Sequence, residues 1–227
     1  MWERISQPMP VNAYLLRLGS LCTPIFVIVF LLEGFTRREY DWMRHPISSL
    51  SIGPFGWIQV MNFIVTGVLV ALIGLGLRWT FALKSRGSVF GPILLVVAGI
   101  GLIGAGIFVS DPVFGFPPEE PLVLAQFTEH GHLHDVFSML WFLGLPSAGF
   151  VFAVRFFTLN KRGWAFYSLA SGLGMIVLFV LASLGFLQRP GFVDVAGIYQ
   201  RLSVTAGLSW ASAIAIHAVP PDAAPPR

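Results

Sequence analysis

Three imidazoles and a carboxylate fall between positions 130 and 135, in the run Glu129-His-Gly-His-Leu-His-Asp135, where a charged loop turns into a long apolar stretch. If the chain is helical from Glu129 onward, His130 and His134 lie four residues apart on one face, and His132 points away from them. That spacing lets one helix offer two nitrogens to one metal ion. His45 could add a third ligand, and Asp111 could ligate or orient a histidine from behind. Neutral imidazoles with a carboxylate suit zinc, with iron and manganese as further candidates. With one coordination position open, zinc would lower the pKa of bound water to roughly 7 and supply a hydroxide nucleophile. Ser48 or Ser49 would then hold the oxyanion. The same residues also serve plain structural ends. Interfacial histidines bond headgroups, carbonyls or water; Asp111, before Pro112, can end a helix and pair with Arg201 or Arg44; Ser48, Ser49 and Ser51 can cap a turn. Asp135 makes a further demand, because an acid inside an apolar span needs a partner or an aqueous cavity. Its place near a helix start also favours a carboxylate electrostatically.

The elements that must position these residues follow from composition. With 56% hydrophobic and only 11% charged residues, and a mean hydropathy of +0.78, the chain lies outside the range of soluble domains. Six stretches reach the roughly 20 residues needed to cross a bilayer: Leu15–Phe35, Trp57–Trp79, Val89–Val109, His132–Val154, Trp164–Leu187 and Ile198–Val219. They are continuously apolar, unlike the alternating strands of a membrane barrel. The expectation is an all-α polytopic integral membrane protein, one compact bundle of six transmembrane helices over residues 1–227. Arg17 inside the first run, and the length of that run, argue against a cleaved signal peptide. The lone Cys22 excludes an internal disulfide and a cysteine-rich metal site.

Basic residues sort unevenly among the loops. Arg4, Arg17, Arg78, Lys84, Arg86, Arg155, Lys161, Arg162 and Arg227 share one side, against Arg37, Arg38, Arg44, Arg189 and Arg201 on the other. The positive-inside rule then places both termini in the cytoplasm of a cell-membrane protein. Nine of the eleven acids, Glu119 and Glu120 among them, fall on the other side with His45, His130, His132 and His134. The net charge of +3 therefore reads as anchoring to anionic headgroups, with no nucleic-acid partner. Trp57, Trp79 and Trp164 mark span ends. Small residues at four-residue spacing suggest helix contacts: Gly67 with Ala71, Gly101 with Ala105, Ala170 with Gly174, and Ser203, Gly207, Ala211 and Ala215. Pro24, Pro92 and Pro146 are expected to bend or loosen their helices. His217 falls at the opposite membrane side from the other histidines, which argues against a haem held between them. The sparse charges within the spans weigh against an ion pump.

The run His45-Pro-Ile-Ser-Ser-Leu-Ser51, followed by Gly56-Trp57 and Asn62-Phe63, resembles the signature of the membrane-protein family catalogued as domain of unknown function 998. Gly106-Ile-Phe-Val-Ser-Asp111, the His-initiated fourth helix and Gly197-Ile-Tyr-Gln-Arg-Leu202 resemble its later segments. The resemblance covers most of the chain and implies the fold more than an activity; Gln200 stands where that family often has glutamate. A more distant likeness is to the alkaline ceramidase and adiponectin-receptor superfamily, whose zinc site combines three histidines, an aspartate and a serine. His45 with Ser49, then Asp111, then His130 and His134 give similar types in similar order, although that family has seven spans and carries its paired histidines on the last. Two functions follow as expectations. One is a non-catalytic lipid-binding, accessory-subunit or small-transporter role, with membrane lipids and a membrane-protein partner or a second copy as partners. The other is a zinc-dependent membrane hydrolase of lipid amide or ester bonds, with His45, His130 and His134 on the metal and Ser49 and Asp111 as catalytic groups.

Overall fold

The computed structural model describes residues 9–82, 89–113, 115–118 and 126–219. Arg4, Lys84, Arg86, Glu119, Glu120 and Arg227, which enter the charge count above, lie outside the described residues. The described chain is helical: α1 (Val11–Gly19), α2 (Cys22–Thr36), α3 (Gly56–Ala82), α4 (Phe90–Ile107), α5 (Glu129–Thr158), α6 (Arg162–Phe186) and α7 (Ala196–Ala218), with 3-10 turns at Ile47–Ser51 and Val193–Val195. Among the described residues, five spans are long and apolar enough to cross a membrane, α1 and α2 together forming the first. α7 is the most polar of the six expected crossings, with Gln200, Arg201, Ser203, Thr205, Ser209, Ser212 and His217 along it. It is long enough to cross, and it buries Arg201, Ser203, Gly207, Trp210 and Ser212 within the bundle. Each helix packs on the next from α3 to α7, and α7 returns against α1, α2 and α3 to close a ring. Outward faces carry large apolar side chains such as Phe90, Leu143, Val154 and Val177, as lipid-facing surfaces do.

The first span is broken at Ser20–Leu21, and Pro24 explains how the break is held. A proline supplies no N–H to the carbonyl four residues earlier. That carbonyl, Ser20 O, instead accepts from Ser212 Oγ of α7 at 2.8 Å. With its one proton given to Ser20, Ser212 Oγ is the acceptor for Thr23 Oγ1 at 2.7 Å. Pro24 and Pro92 both sit in the first turns of their helices, where a proline interrupts no bond within its own helix. Of the three prolines, only Pro146 is internal to its helix.

The small-residue expectations divide. Gly67 crosses α4 at Gly99, each close enough to the other's carbonyl that a Cβ would come within 2.6 Å. Gly101 lies against the Phe137 and Trp141 backbone of α5. Ser203, Gly207, Ala211 and Ala215 are all buried. In α6 the packed pair is Ser168 and Gly172, set against Gly149 and Pro146 of α5, whereas Ala170 is exposed and nothing lies within 4 Å of a Cβ on Gly174. Both faces of α6 carry small residues in an apolar helix, so spacing alone selects neither.

Candidate functional site

The run His45 to Ser51 folds into a buried plug at one end of the bundle. All five residues of the 3-10 turn Ile47–Ser51 are buried, and a short irregular segment at this depth must find partners for its carbonyls and N–H groups within the protein. Two arginines provide some of them. Arg37, ion-paired to Glu33 at 2.8 Å, donates to Leu50 O at 3.0 Å and Ile52 O at 2.9 Å. Arg201 donates to His45 O and Gly197 O, each at 3.0 Å, and to the Tyr40 hydroxyl. Tyr40 passes its own proton to Pro46 O at 2.9 Å. Gln200 Oε1 accepts the Ile47 N–H at 2.7 Å, which accounts for an acceptor-bearing side chain at that position. Burial pushes the Tyr40 phenol up to about 12, against the opposing pull of the Arg201 charge. Arg201 is thus a buried cation held by carbonyls and a hydroxyl, with the Tyr40 and Phe30 rings 5.6 and 5.7 Å away. Sequence reasoning placed Glu33, Arg37, Tyr40 and Gln200 on this side without assigning them a task; the Glu33 to Arg37 spacing of four was the available signal.

The five expected site residues take different positions. His45 is buried, its Nδ1 accepting the Asp41 N–H at 3.0 Å, with its ring 5.4 Å from both Tyr40 and Phe116. The Ser49 side chain is fully buried, and its hydroxyl has no hydrogen-bond partner among the described residues. Among the described residues, no salt bridge joins Asp111 to Arg201. Its oxygens accept the Thr128 N–H at 2.8 Å and the Thr128 hydroxyl at 2.6 Å. Thr128 is the N-cap of α5, and its Oγ1 accepts the Gly131 N–H at 3.0 Å. Asp111 therefore ties the end of α4 to the start of α5 and places a carboxylate at a helix N-terminus.

His134, on the next turn of α5, is buried with Nδ1 lying 2.9 Å from Ala105 O and 2.8 Å from Phe108 O. Those carbonyls belong to the last turn of α4 and its C-cap, where helix geometry leaves acceptors over. The contact assigns the proton to Nδ1 and makes Nε2 an acceptor in the neutral ring. His130 is exposed and meets the Phe108 ring edge-on at 5.7 Å, and His132 is exposed as well. Among the described residues, no three His, Cys, Asp or Glu side chains come together as a metal-holding group. The fold brings Asp111 and His134 to one place and leaves His45 and Ser49 in the plug.

That place is a cavity of about 460 Å³ inside the ring. Phe26, Phe63, Leu102, Trp141, Phe142 and Phe179 make its apolar wall, and Ser48, Ser110, Asp111, His134, Asp135 and Gln200 give it a polar rim. Phe142 and Phe179 stack at 3.8 Å between α5 and α6. Ser138 and Met139 of α5, Ser183 of α6 and its C-cap Leu187 also border the cavity. Met139 and Leu187 are also exposed on the outside of the bundle, so the cavity and the apolar exterior share a boundary between these two helices. Its volume lies within the roughly 300–1,000 Å³ of small-molecule sites. No sequence pattern announced it, because its wall comes from residues spread from Phe26 to Val204.

A family model described as protein of unknown function (DUF998) matches residues 20–217, and the chain belongs to that family. No curated protein and no solved structure matches it.

Proposed function

For this member of the DUF998 family, we propose a non-catalytic role in binding a lipid-like amphiphile of the cell membrane, taken in laterally between α5 and α6. The observation that carries this reading is the cavity itself: an apolar chamber with a polar rim, bordered by the exposed surface of two apolar helices. From Gly131 to Phe142 the cavity follows α5 for about 16 Å at 1.5 Å per residue, half the thickness of a hydrocarbon core. An aqueous solute would have no reason to meet such a wall from the lipid side, whereas an alkyl chain gains about 0.8 kcal/mol for each methylene it buries there.

Orientation belongs to the same proposal. With both termini cytoplasmic, the cavity opens on the extracytoplasmic leaflet. Two of the five basic residues assigned to that side, Arg37 and Arg201, are engaged with buried carbonyls, which leaves the cytoplasmic excess of exposed positive charge larger than a count of residues suggests.

The test is a cavity-filling substitution. Ser138→Trp, at a half-buried wall position, places an indole in the chamber from a side chain with no role in the plug. Native mass spectrometry of the purified protein is expected to show one retained lipid in the wild type and none in the variant, with thermal stability little changed. Equal lipid retention by a folded Ser138→Trp protein would refute the reading.

A further inference from the structure

The polar rim of the cavity is unusual in what it lacks. Among the described residues no lysine or arginine contributes to the wall, while two carboxylates, Asp111 and Asp135, do. Arg201 is near in sequence to Gln200 of the rim, but its guanidinium is turned into the plug and held by His45 O, Gly197 O and Tyr40.

The two carboxylates differ. Both Asp111 oxygens accept from Thr128, whereas no hydrogen bond or ion pair joins Asp135 to the described residues. Three of the remaining polar groups, His134, Ser110 and Ser183, lean the same way. His134 commits its Nδ1 proton to the α4 carbonyls and presents Nε2 as an acceptor. Ser110 donates to Ser48 O at 3.3 Å and Ser183 to Phe179 O at 2.8 Å, so both hydroxyls keep only lone pairs for an occupant. The rim therefore carries two carboxylates and several acceptors, and its uncommitted donors, the Gln200 amide and the Ser48 and Ser138 hydroxyls, are neutral, with no cationic donor for a phosphate or carboxylate among the described residues.

Resting on the lipid-binding reading above, we infer that the occupant is a single-chain amphiphile with a protonated amine head, its ammonium against Asp135 and its chain against Trp141, Phe142 and Phe179. An ammonium brings several donors and no acceptor, which is the complement of this rim. Asp135 is exposed, so solvent weakens the pairing, and a gain of about tenfold in affinity over an uncharged head is the expected scale for one charge-assisted hydrogen bond in such a place.

Three probes of equal chain length separate the possibilities: hexadecylamine, hexadecanol and palmitate, each titrated at pH 7 against the full chain in phosphatidylcholine nanodiscs. Binding is taken as the difference from the cavity-blocked Ser138→Trp protein, which removes simple partitioning into lipid. The expected order is amine about tenfold tighter than alcohol, with palmitate weakest. Asp135→Asn is expected to bring the amine-to-alcohol ratio to about one, and Asp135→Glu to keep most of it. Palmitate binding as tightly as the amine, or an Asp135→Asn protein with an unchanged ratio, would overturn the head-group inference and leave lipid binding standing. Failure of all three probes to bind the wild type above the blocked protein would overturn both.

Discussion

Replacing Asp111 separates its two candidate roles, since a group that ties α4 to α5 must cost stability when removed. The carboxylate is buried and accepts two hydrogen bonds from Thr128, at 2.8 and 2.6 Å. Hydrogen bonds to a charged group contribute about 1.5–3 kcal/mol each, and a carboxylate at a helix N-terminus adds about 0.3–1 kcal/mol. Because both bonds go to one residue they are not independent, and about 3 kcal/mol is the expected loss for Asp111→Ala. Asp111→Asn retains one acceptor and the shape, so about half that loss is expected. For a chain of this size 1 kcal/mol moves the melting temperature by about 2–4 °C, which sets the Asp111→Ala shift at about 6–12 °C. Thr128→Ala removes the capping hydroxyl and leaves the carboxylate only the backbone N–H of residue 128, for about 2 kcal/mol. The double variant should then be little worse than Asp111→Ala alone, a coupling of at least about 1 kcal/mol. Melting curves of the four proteins in one mild detergent, followed by intrinsic fluorescence, measure this. A shift under about 2 °C for Asp111→Ala, or additive losses in the double variant, would refute the capping relay. Loss of ligand binding at unchanged stability would assign Asp111 to the cavity instead.

Three further outcomes follow from the bonds described. Gln200→Leu leaves the Ile47 N–H without its acceptor and is expected to cost about 1–3 kcal/mol, whereas Gln200→Glu, which keeps an acceptor at that place, should melt within about 2 °C of wild type; equal losses in both would exclude the bond as the reason. Ser212→Ala removes the donor to Ser20 O for about 1–2 kcal/mol, and adding Pro24→Ala should recover part of it by restoring a helical N–H for that carbonyl, a rescue read directly from the melting temperatures. Tyr40, raised to about 12, stays protonated while ordinary phenols ionise near 10, so the phenolate absorbance of the wild type and Tyr40→Phe should coincide from pH 9 to 11. The sign for stability is that the buried phenol favours the folded state fully below pH 10, and this contribution declines as pH rises through 12; a tyrosine lost from the titration near pH 10 in Tyr40→Phe would contradict the burial argument.

The sequence by itself determined the class of the protein and five of its spans, because continuous apolarity over about 20 residues is a local property that needs no knowledge of neighbours. It also located a buried small-residue face in α7, where Ser203, Gly207, Ala211 and Ala215 contrast with the polar residues beside them. It could not choose between the faces of α6, where Ser168 with Gly172 and Ala170 with Gly174 look alike and the helix is apolar all round, so no amphipathic contrast marks the inward side. The histidines show the same division at the level of the site. Spacing put His130 and His134 on one side of α5, but only the packing of α4 decided that His134 would satisfy its end carbonyls while His130 stayed exposed. The cavity was decided by tertiary structure alone, since it is the space left where helices distant in sequence close into a ring, and no residue carries a local mark of the space it will border.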